Sequence, residues 1–545
     1  MREAPFPGRV SSDTRLLFAI QCLGLAAAAV IVFHGGLAYF FSQDDFGWMA
    51  RARGLLPRLV GPWRYLSAQL YYDAMRAAGL HALPYHLVSL LAHVAVSLLV
   101  FALLRGRVAA PAAWLGAVFF AVHPAHYTAL YWISATGDIL ALGLALGAVM
   151  AARSADPRRW IAVPLFALSL MSKESTVLLP LWVAAGGALD PGRPAGTAGP
   201  AARGPALGRL LDPLAVTLAL VSALYLASFV AMDVSGVRRP LPQSAPYALG
   251  FDATLLLNLF SYLGWSANFF VPVVSAFSDV VESRAFVPGA AALGLWLAGF
   301  GWKALRERGW FLGGALYFAL LIPVLPLRNH TCHYYLYAPL AGAAWCVAAA
   351  ADALFACLRP APAAATRRGR KTGGRRAHPE PRARDHTTGR VGWTLSLAAG
   401  TLLTVNGALL VQKIESHPFL RPELRADPTV DRARIARNVF DGLRAADLPR
   451  GVRLLFWSPA ATALDRAAGR DPTRDSYWEQ NVRGALYGGL AVRVMFPQVQ
   501  EAQFVRAYRP VDDSHRYAVY DIDGRVRVVA PAEVDSVLRA HPELH

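Results

Sequence analysis

Along the first 412 positions, apolar residues come in blocks of helical length rather than in alternation. Near-continuous apolar stretches lie at 16–41, 86–104, 111–132, 134–151, 160–172, 176–189, 211–232, 254–276, 286–302, 309–327, 335–357 and 391–412. Most approach the ~20 residues that cross a bilayer. Beyond 412 the pattern changes. Val452 to Trp457 predicts a strand, the stretch from Tyr477 a helix, and Tyr517 to Val529 a hairpin turning at Asp523-Gly524. The reading is a polytopic α-helical membrane domain over 1–412 and a small soluble α/β domain over 413–545.

Composition supports that division. Charged residues are 17% of the chain and hydrophobic ones 55%, with mean hydropathy +0.35. Ordinary globular proteins carry ~25% charged residues, so a disordered chain and a wholly soluble enzyme are excluded. The region 413–545 holds about 38 charged residues of nearly balanced sign, which leaves almost all of the +18 net charge in the first 412 positions. There it reads as topology. Arg2, Arg9 and Arg15 precede the first stretch and place the N-terminus in the cytoplasm, and no small-residue cleavage site follows, so that stretch is a retained anchor. Twelve crossings would put the densest basic segment, Arg367 to Arg384, outside. The stretch 254–276, interrupted by Asn258, Gly264, Asn268 and Pro272, is therefore read as re-entrant or interfacial. About eleven transmembrane helices remain, with a basic linker at 358–390 inside and the first loop (42–85) and the C-terminal domain outside. Basic residues on the inner face argue against a nucleic-acid partner. The four cysteines show no C-x-x-C spacing and suggest neither disulfides nor a zinc site. The excess of arginine over lysine fits a GC-rich bacterial genome, and hence an inner-membrane location.

The polar residues that interrupt this apolar frame are the candidates for chemistry. Asp44 and Asp45 follow the first stretch, where a carboxylate pair can take a proton from a hydroxyl, coordinate a divalent cation such as Mg or Mn, or simply cap a helix. His123 and His126 flank Pro124-Ala125, with Asp138 downstream; ionisable groups at membrane depth face a cavity or one another. Lys173-Glu174, between two short stretches, is either an ion pair closing a hairpin or a cation offered to a phosphate. Arg328, His330 and His333 precede Tyr334-Tyr335-Leu336-Tyr337-Ala338-Pro339, which forms an aromatic belt or the rim of a site.

Several of these motifs, in order, resemble the GT-C superfamily of polyprenyl-phosphate-sugar-dependent glycosyltransferases, specifically the protein O-mannosyltransferase-like branch that includes the transmembrane and TPR-containing mannosyltransferases. The matching elements are Asp44-Asp45-Phe46; Arg64-Tyr65-Leu66; Gly79-Leu80-His81 with Tyr85-His86-Leu87-Val88 and His93; His123-Pro124-Ala125-His126 with Asp138; Ser172-Lys173-Glu174; and Tyr335 to Pro339. The resemblance covers about 15–356. It departs from the pattern at Thr128, Thr136 and His333-Tyr334, and no TPR array follows.

The resemblance implies a GT-C-like helical bundle with an outer-face site that moves a mannose-like hexose from a polyprenyl-phosphate donor, with inversion. The acceptor hydroxyl would be a Ser or Thr of an exported protein, or a lipid or cell-envelope polysaccharide. Asp44 or Asp45 would be the catalytic base, and Lys173 and Arg328 would meet the donor phosphate. Arg64, His86, His123, His126, Asp138, Glu174, His333 and Tyr337 would shape the donor or acceptor pocket, with the lipid tail near 254–276. A metal, held by Asp44 and Asp45, is left open. The competing class is a transporter or lipid flippase, which should show inverted halves with matching broken helices. No such symmetry is visible in the sequence.

Overall fold

The computed structural model describes residues 12–154, 157–189, 212–234, 247–267, 283–358, 386–416, 428–469 and 477–540. Much of the basic linker (359–385) and the later part of the expected re-entrant segment (268–276) lie outside them. Six helices among the described residues are long and apolar enough to cross a membrane: Arg15–Ala38, Ala82–Arg105, Ile133–Ala152, Pro213–Met232, Leu340–Cys357 and Arg390–Glu415. Their outer faces carry exposed aliphatic side chains, among them Leu16, Leu23 and Ile31 on the first, Leu220, Leu224 and Val230 on the fourth, and Leu402, Val405 and Leu409 on the last. Such a surface is costly in water and suits a lipid solvent.

Other expected crossings are shorter or broken. The stretch 111–132 is helical only over Ala110–Ala121, followed by one tight turn at Pro124–His126 and a short helix at Tyr127–Tyr131. Pro124 lacks an N–H and clashes with the preceding turn, and His123 Nδ1 instead accepts from the Ala125 N–H at 3.2 Å. The stretches at 160–172 and 176–189 form the 11-residue helices Ala162–Ser172 and Leu179–Leu189, each ~16 Å long against a ~30 Å hydrocarbon core. Between them Lys173 is extended (φ −161°, ψ 145°). The segment from 254 is helical over Thr254–Ser266, 13 residues. Asn258 within it donates to the carbonyls of Leu325 and Leu327 and accepts from Thr331, so its role is to tie down the 325–331 turn.

Small residues let the central helices approach closely, the usual device where no hydrophobic effect drives helices together. A Cβ at Gly116 would lie 2.6 Å from the Ala344 carbonyl oxygen and 2.8 Å from Ala348 Cβ.

The last apolar helix ends at Glu415, and the C-terminal domain opens with the helix Pro428–Ala445. Its sheet comprises β1 (Arg453–Trp457), β2 (Glu501–Phe504), β3 (His515–Tyr520) and β4 (Val526–Val529), in the order β2-β1-β3-β4. β1 runs parallel to β2 and β3, while β3 and β4 form the expected antiparallel hairpin, with Tyr517 opposite Val529. Gly524, at φ 77°, makes its turn. The two-residue period sorts the side chains. Leu454, Phe456, Ala518 and Tyr520 face one core, and Leu455, Tyr517 and Val519 face the other.

The first of those cores is not confined to the C-terminal domain. It also contains Phe41, Phe46, Met49, Tyr72 and Tyr85 of the first loop and its flanks, packed with Ile435, Val439 and Phe440. The Phe440 ring lies 5.6 Å from that of Phe40 and 5.5 Å from that of Phe46. The loop and the C-terminal domain thus share one hydrophobic interior.

Gly116→Val should lower stability by about 1–3 kcal/mol through overpacking, read as a fall in the thermal unfolding midpoint in detergent. Gly186→Val, where an added Cβ meets nothing within 4 Å, should change it much less; equal effects would refute the close-approach argument.

Candidate functional site

The helix Asp44–Ala52 starts directly after Gln43, whose backbone sits at φ 55°, ψ −127°. That region is disfavoured for any residue with a Cβ and persists only where the surroundings hold it. The turn delivers the two aspartates to different places. Asp45 is 1% exposed. Its Oδ2 accepts from the Ser42 N–H at 2.9 Å, and its Oδ1 accepts from the Ser134 N–H at 2.7 Å, the Ser134 hydroxyl at 2.5 Å and the Tyr72 hydroxyl at 3.0 Å. Asp45 therefore staples the first loop to the Ile133–Ala135 turn. Asp44 is partly exposed and lines a cleft. Burial raises its pKa from the ordinary carboxylate range, opposed by the charges of Arg64 and Arg432.

The cleft is narrow, with a cavity volume of ≈ 20 Å³ against the ~300–1,000 Å³ of small-molecule sites, so a ligand the size of a sugar phosphate enters only as its walls move apart. Arg64 and Lys173 line it together with Asp44. Arg64 precedes a wide π-type turn (Tyr65–Leu70) and takes a left-handed conformation at φ 49°. It grips Glu174 with two nitrogens, Nη2–Oε1 at 2.8 Å and Nε–Oε2 at 3.3 Å. Burial alone would raise the pKa of Glu174, but the Arg64 guanidinium overrides it and holds the acid at about 2. Lys173 Nζ lies 2.5 Å from Asp138 Oδ2 and over the rings of Tyr334 and Tyr335, 4.5 and 5.0 Å from their centroids. The hairpin is fixed from the first loop as well, since Ser67 Oγ donates to the Ser172 carbonyl at 2.6 Å. Gly137 permits that approach, because a Cβ there would lie 3.0 Å from Ser67 Oγ.

Four aromatic residues complete the wall: Trp48, Trp132, Tyr247 and Tyr334. The Trp132 Nε1 donor is buried and has no hydrogen-bond partner among the described residues. Sequence reading singled out none of the first three for the site. Trp48 was legible in principle, standing four residues after Asp44 and so on the same helix face. Trp132 and Tyr247 carried no such signal. Tyr247 reaches the cleft because the 248–250 segment pairs with 326–328, Arg328 N–H to the Ala248 carbonyl and Gly250 N–H to the Pro326 carbonyl.

The other expected site residues lie elsewhere. Arg328 pairs with Asp252 at 2.6 Å in a partly exposed contact and does not line the cleft. His86 is buried, with Nδ1 3.1 Å from the Leu130 carbonyl. His123, His126 and Tyr337 form a buried cluster with His93. His93 Nδ1 lies 2.8 Å from the Tyr337 hydroxyl, the His126 ring 4.6 Å from that of Tyr337, and His123 Nε2 3.2 Å from the Ser266 carbonyl. His333 stacks on Trp265 at 4.0 Å. These groups build the floor of the bundle rather than the cleft wall. Among the described residues no group of three or more His, Cys, Asp and Glu could hold a metal ion. Of the two carboxylates named for a metal, which was left open, Asp45 is occupied by the hydrogen bonds above.

No protein-family model and no curated protein matches this chain. The functional reading therefore rests on the cleft.

Burial pushes Asp45 up to about 7, against the hydrogen bonds it accepts. Folding thus favours its acid form. That contribution is complete below the ordinary carboxylate pKa of ~4 and is lost as pH rises through about 7. The thermal unfolding midpoint should accordingly fall between about pH 4 and pH 7, and Asp45→Asn, which mimics the neutral acid, should flatten that fall. An unchanged slope in the variant would assign the titration to another group.

Proposed function

We propose that this protein is a membrane glycosyltransferase that moves a sugar, a mannose-like hexose, from a polyprenyl-phosphate donor to an acceptor hydroxyl such as a Ser or Thr of an exported protein, with inversion. One observation carries the reading: a carboxylate with raised pKa, two cations and four aromatic rings line a single cleft, in a chain whose apolar helices suit a membrane. The ordered motifs that resemble GT-C enzymes support the same reaction.

In this reading Asp44 is the base. It removes the acceptor proton as the hydroxyl oxygen attacks the anomeric carbon, and the bond from that carbon to the phosphate oxygen breaks with its electron pair leaving on the phosphate. A polyprenyl phosphate needs no protonation to depart, but its charge must be met. Lys173 and Arg64 meet it, so the role first given to Arg328 passes to Arg64. Both cations are already paired with carboxylates, which fixes their positions before donor binds. The aromatic rings suit a sugar, whose C–H faces pack on π surfaces. The proposed topology has eleven crossings of a bacterial inner membrane, the N-terminus and basic linker inside, and the cleft and C-terminal domain outside.

With a panel of labelled polyprenyl-phosphate sugars, the purified protein should consume at least one donor. Asp44→Asn should lower kcat by about 100-fold or more, Lys173→Ala should raise the donor KM, and Arg328→Ala should stay near wild type. Full activity in Asp44→Asn, or no donor consumed, contradicts the assignment. Cysteines introduced within 358–390 should resist an impermeant thiol reagent applied to intact cells; their modification from outside would overturn the topology.

A further inference from the structure

The turn that carries Asp44 is not held by the membrane domain alone. Gln43 donates its N–H to the Ala485 carbonyl at 3.0 Å, and its side-chain Oε1 accepts from Arg432 Nη1 at 2.5 Å. Ala485 and Arg432 both belong to the C-terminal domain, on the helices Tyr477–Ala485 and Pro428–Ala445. A third contact lies one turn further on. A Cβ at Gly47 would sit 2.9 Å from the ring of Tyr487, so that ring rests directly on the Asp44–Ala52 helix. Tyr487 itself is left-handed (φ 49°), followed by Gly488 (φ 65°) and Gly489 (φ 94°). A Cβ at Gly489 would lie 2.5 Å from the Ala502 carbonyl oxygen. Strained backbone thus faces strained backbone across this contact, Gln43 on one side and Tyr487 on the other.

We propose that the C-terminal domain is the positioning element of the cleft: Arg432 and the Ala485 carbonyl hold Gln43 in its unfavourable conformation, and that conformation aims Asp44 into the cleft while Asp45 stays sequestered. The inference rests on the reading of Asp44 as the base. It follows from geometry, because Gln43 and Asp44 share a peptide. If Gln43 relaxed to a common φ/ψ region, that peptide would rotate and redirect the start of the helix. Both grips on Gln43 act at the strained residue itself, one on its backbone and one on its side chain. The common core of Phe40, Phe46 and Phe440 supplies the rigid backing. Arg432 is then a positioning residue that acts through Gln43, besides the charge it sets beside Asp44.

The strain gives this proposal a distinctive test. Glycine adopts φ 55° without penalty, whereas alanine keeps the penalty and loses the side-chain grip. Gln43→Ala should lower kcat by about tenfold, with donor KM little changed, whereas Gln43→Gly should retain activity within about threefold of wild type. At a pH high enough to keep Asp44 ionised without the Arg432 charge, Arg432→Ala should resemble Gln43→Ala and should have little further effect in the Gln43→Gly background. Equal losses in Gln43→Ala and Gln43→Gly would overturn the proposal.

An arm independent of catalysis uses Asp44→Cys in the full chain, with alkylation of the introduced thiol by iodoacetamide followed by peptide mass spectrometry. Adding Gln43→Ala, which leaves every charge beside position 44 in place, should change the alkylation rate at least about threefold through loss of the fixed geometry, whereas adding Gln43→Gly should change it much less. Adding Arg453→Ala, whose side chain bonds Gln500, should not change it. An unchanged rate with Gln43→Ala refutes the clamp. If the wild-type protein transfers no sugar, the glycosyltransferase reading fails while the alkylation arm still decides the clamp.

Discussion

Charge buried at the end of an apolar bundle is the constraint on which this molecule is built. The side chains of Lys173 and Asp138 are 7% and 2% exposed, and desolvating each ion costs several kcal/mol, on the order that only a close opposite charge offsets. The partner must therefore be in place, and the chain is arranged to put it there. A broken hairpin presents Lys173, a first-turn position presents Asp138, and the tyrosine rings beneath the ammonium group supply the remaining contact. Arg64 and Glu174 repeat the arrangement at the rim. Removing Lys173 or Asp138 leaves a buried charge without its counterpart, a cost that the partly exposed Arg64 and Glu174 bear less fully. The cost of the pairs and the fixed position of the cations are the same fact seen from two sides.

Asp44 is placed differently. Its neighbour Asp45 takes the hydrogen-bond donors and the structural load, so Asp44 is left with solvent access and a raised pKa at the edge of a cleft. Identical side chains one residue apart diverge because successive helix positions point about 100° apart, and the Gln43 backbone lies directly before the helix they open. That backbone is braced from the C-terminal domain, whose core is continuous with the loop. The domain's polar contacts reach back to the ends of the first and last apolar helices as well: Arg437 donates to the Ala38 carbonyl, and Arg434 donates to the Glu415 carbonyl.

Much of this was legible in the chain. The apolar blocks, the strand at 453–457, the helix from Tyr477 and the hairpin at Asp523-Gly524 follow from local patterns, and local patterns are what sequence reading resolves. The salt bridges joining Arg64 to Glu174 and Lys173 to Asp138 were foreshadowed only as separate motifs, because pairs separated by 110 and 35 positions depend on packing. The stretch 111–132 was read as one helix although Pro124 cuts it, since apolarity continues through a break that backbone geometry imposes. The histidines lie apart from the cleft. His123 has a carbonyl near its ring, whereas His126 is held by ring packing, its ring nitrogens having no hydrogen-bond partner among the described residues. Arg328, conversely, looked available in sequence because nothing nearby announced Asp252. The division of labour between Asp44 and Asp45 was invisible, because it turns on one residue's positive φ.

The central claim is that the cleft bounded by Asp44, Arg64 and Lys173 receives the sugar phosphate. The most direct measurement is photocrosslinking with a polyprenyl-phosphate sugar bearing a diazirine on the sugar ring, with adducts located by peptide mass spectrometry. The account predicts adducts on Trp48, Trp132, Tyr247 or Tyr334, suppressed by excess unlabelled donor. Competable adducts confined to the histidine cluster or the basic linker, with none on the cleft wall, would contradict it.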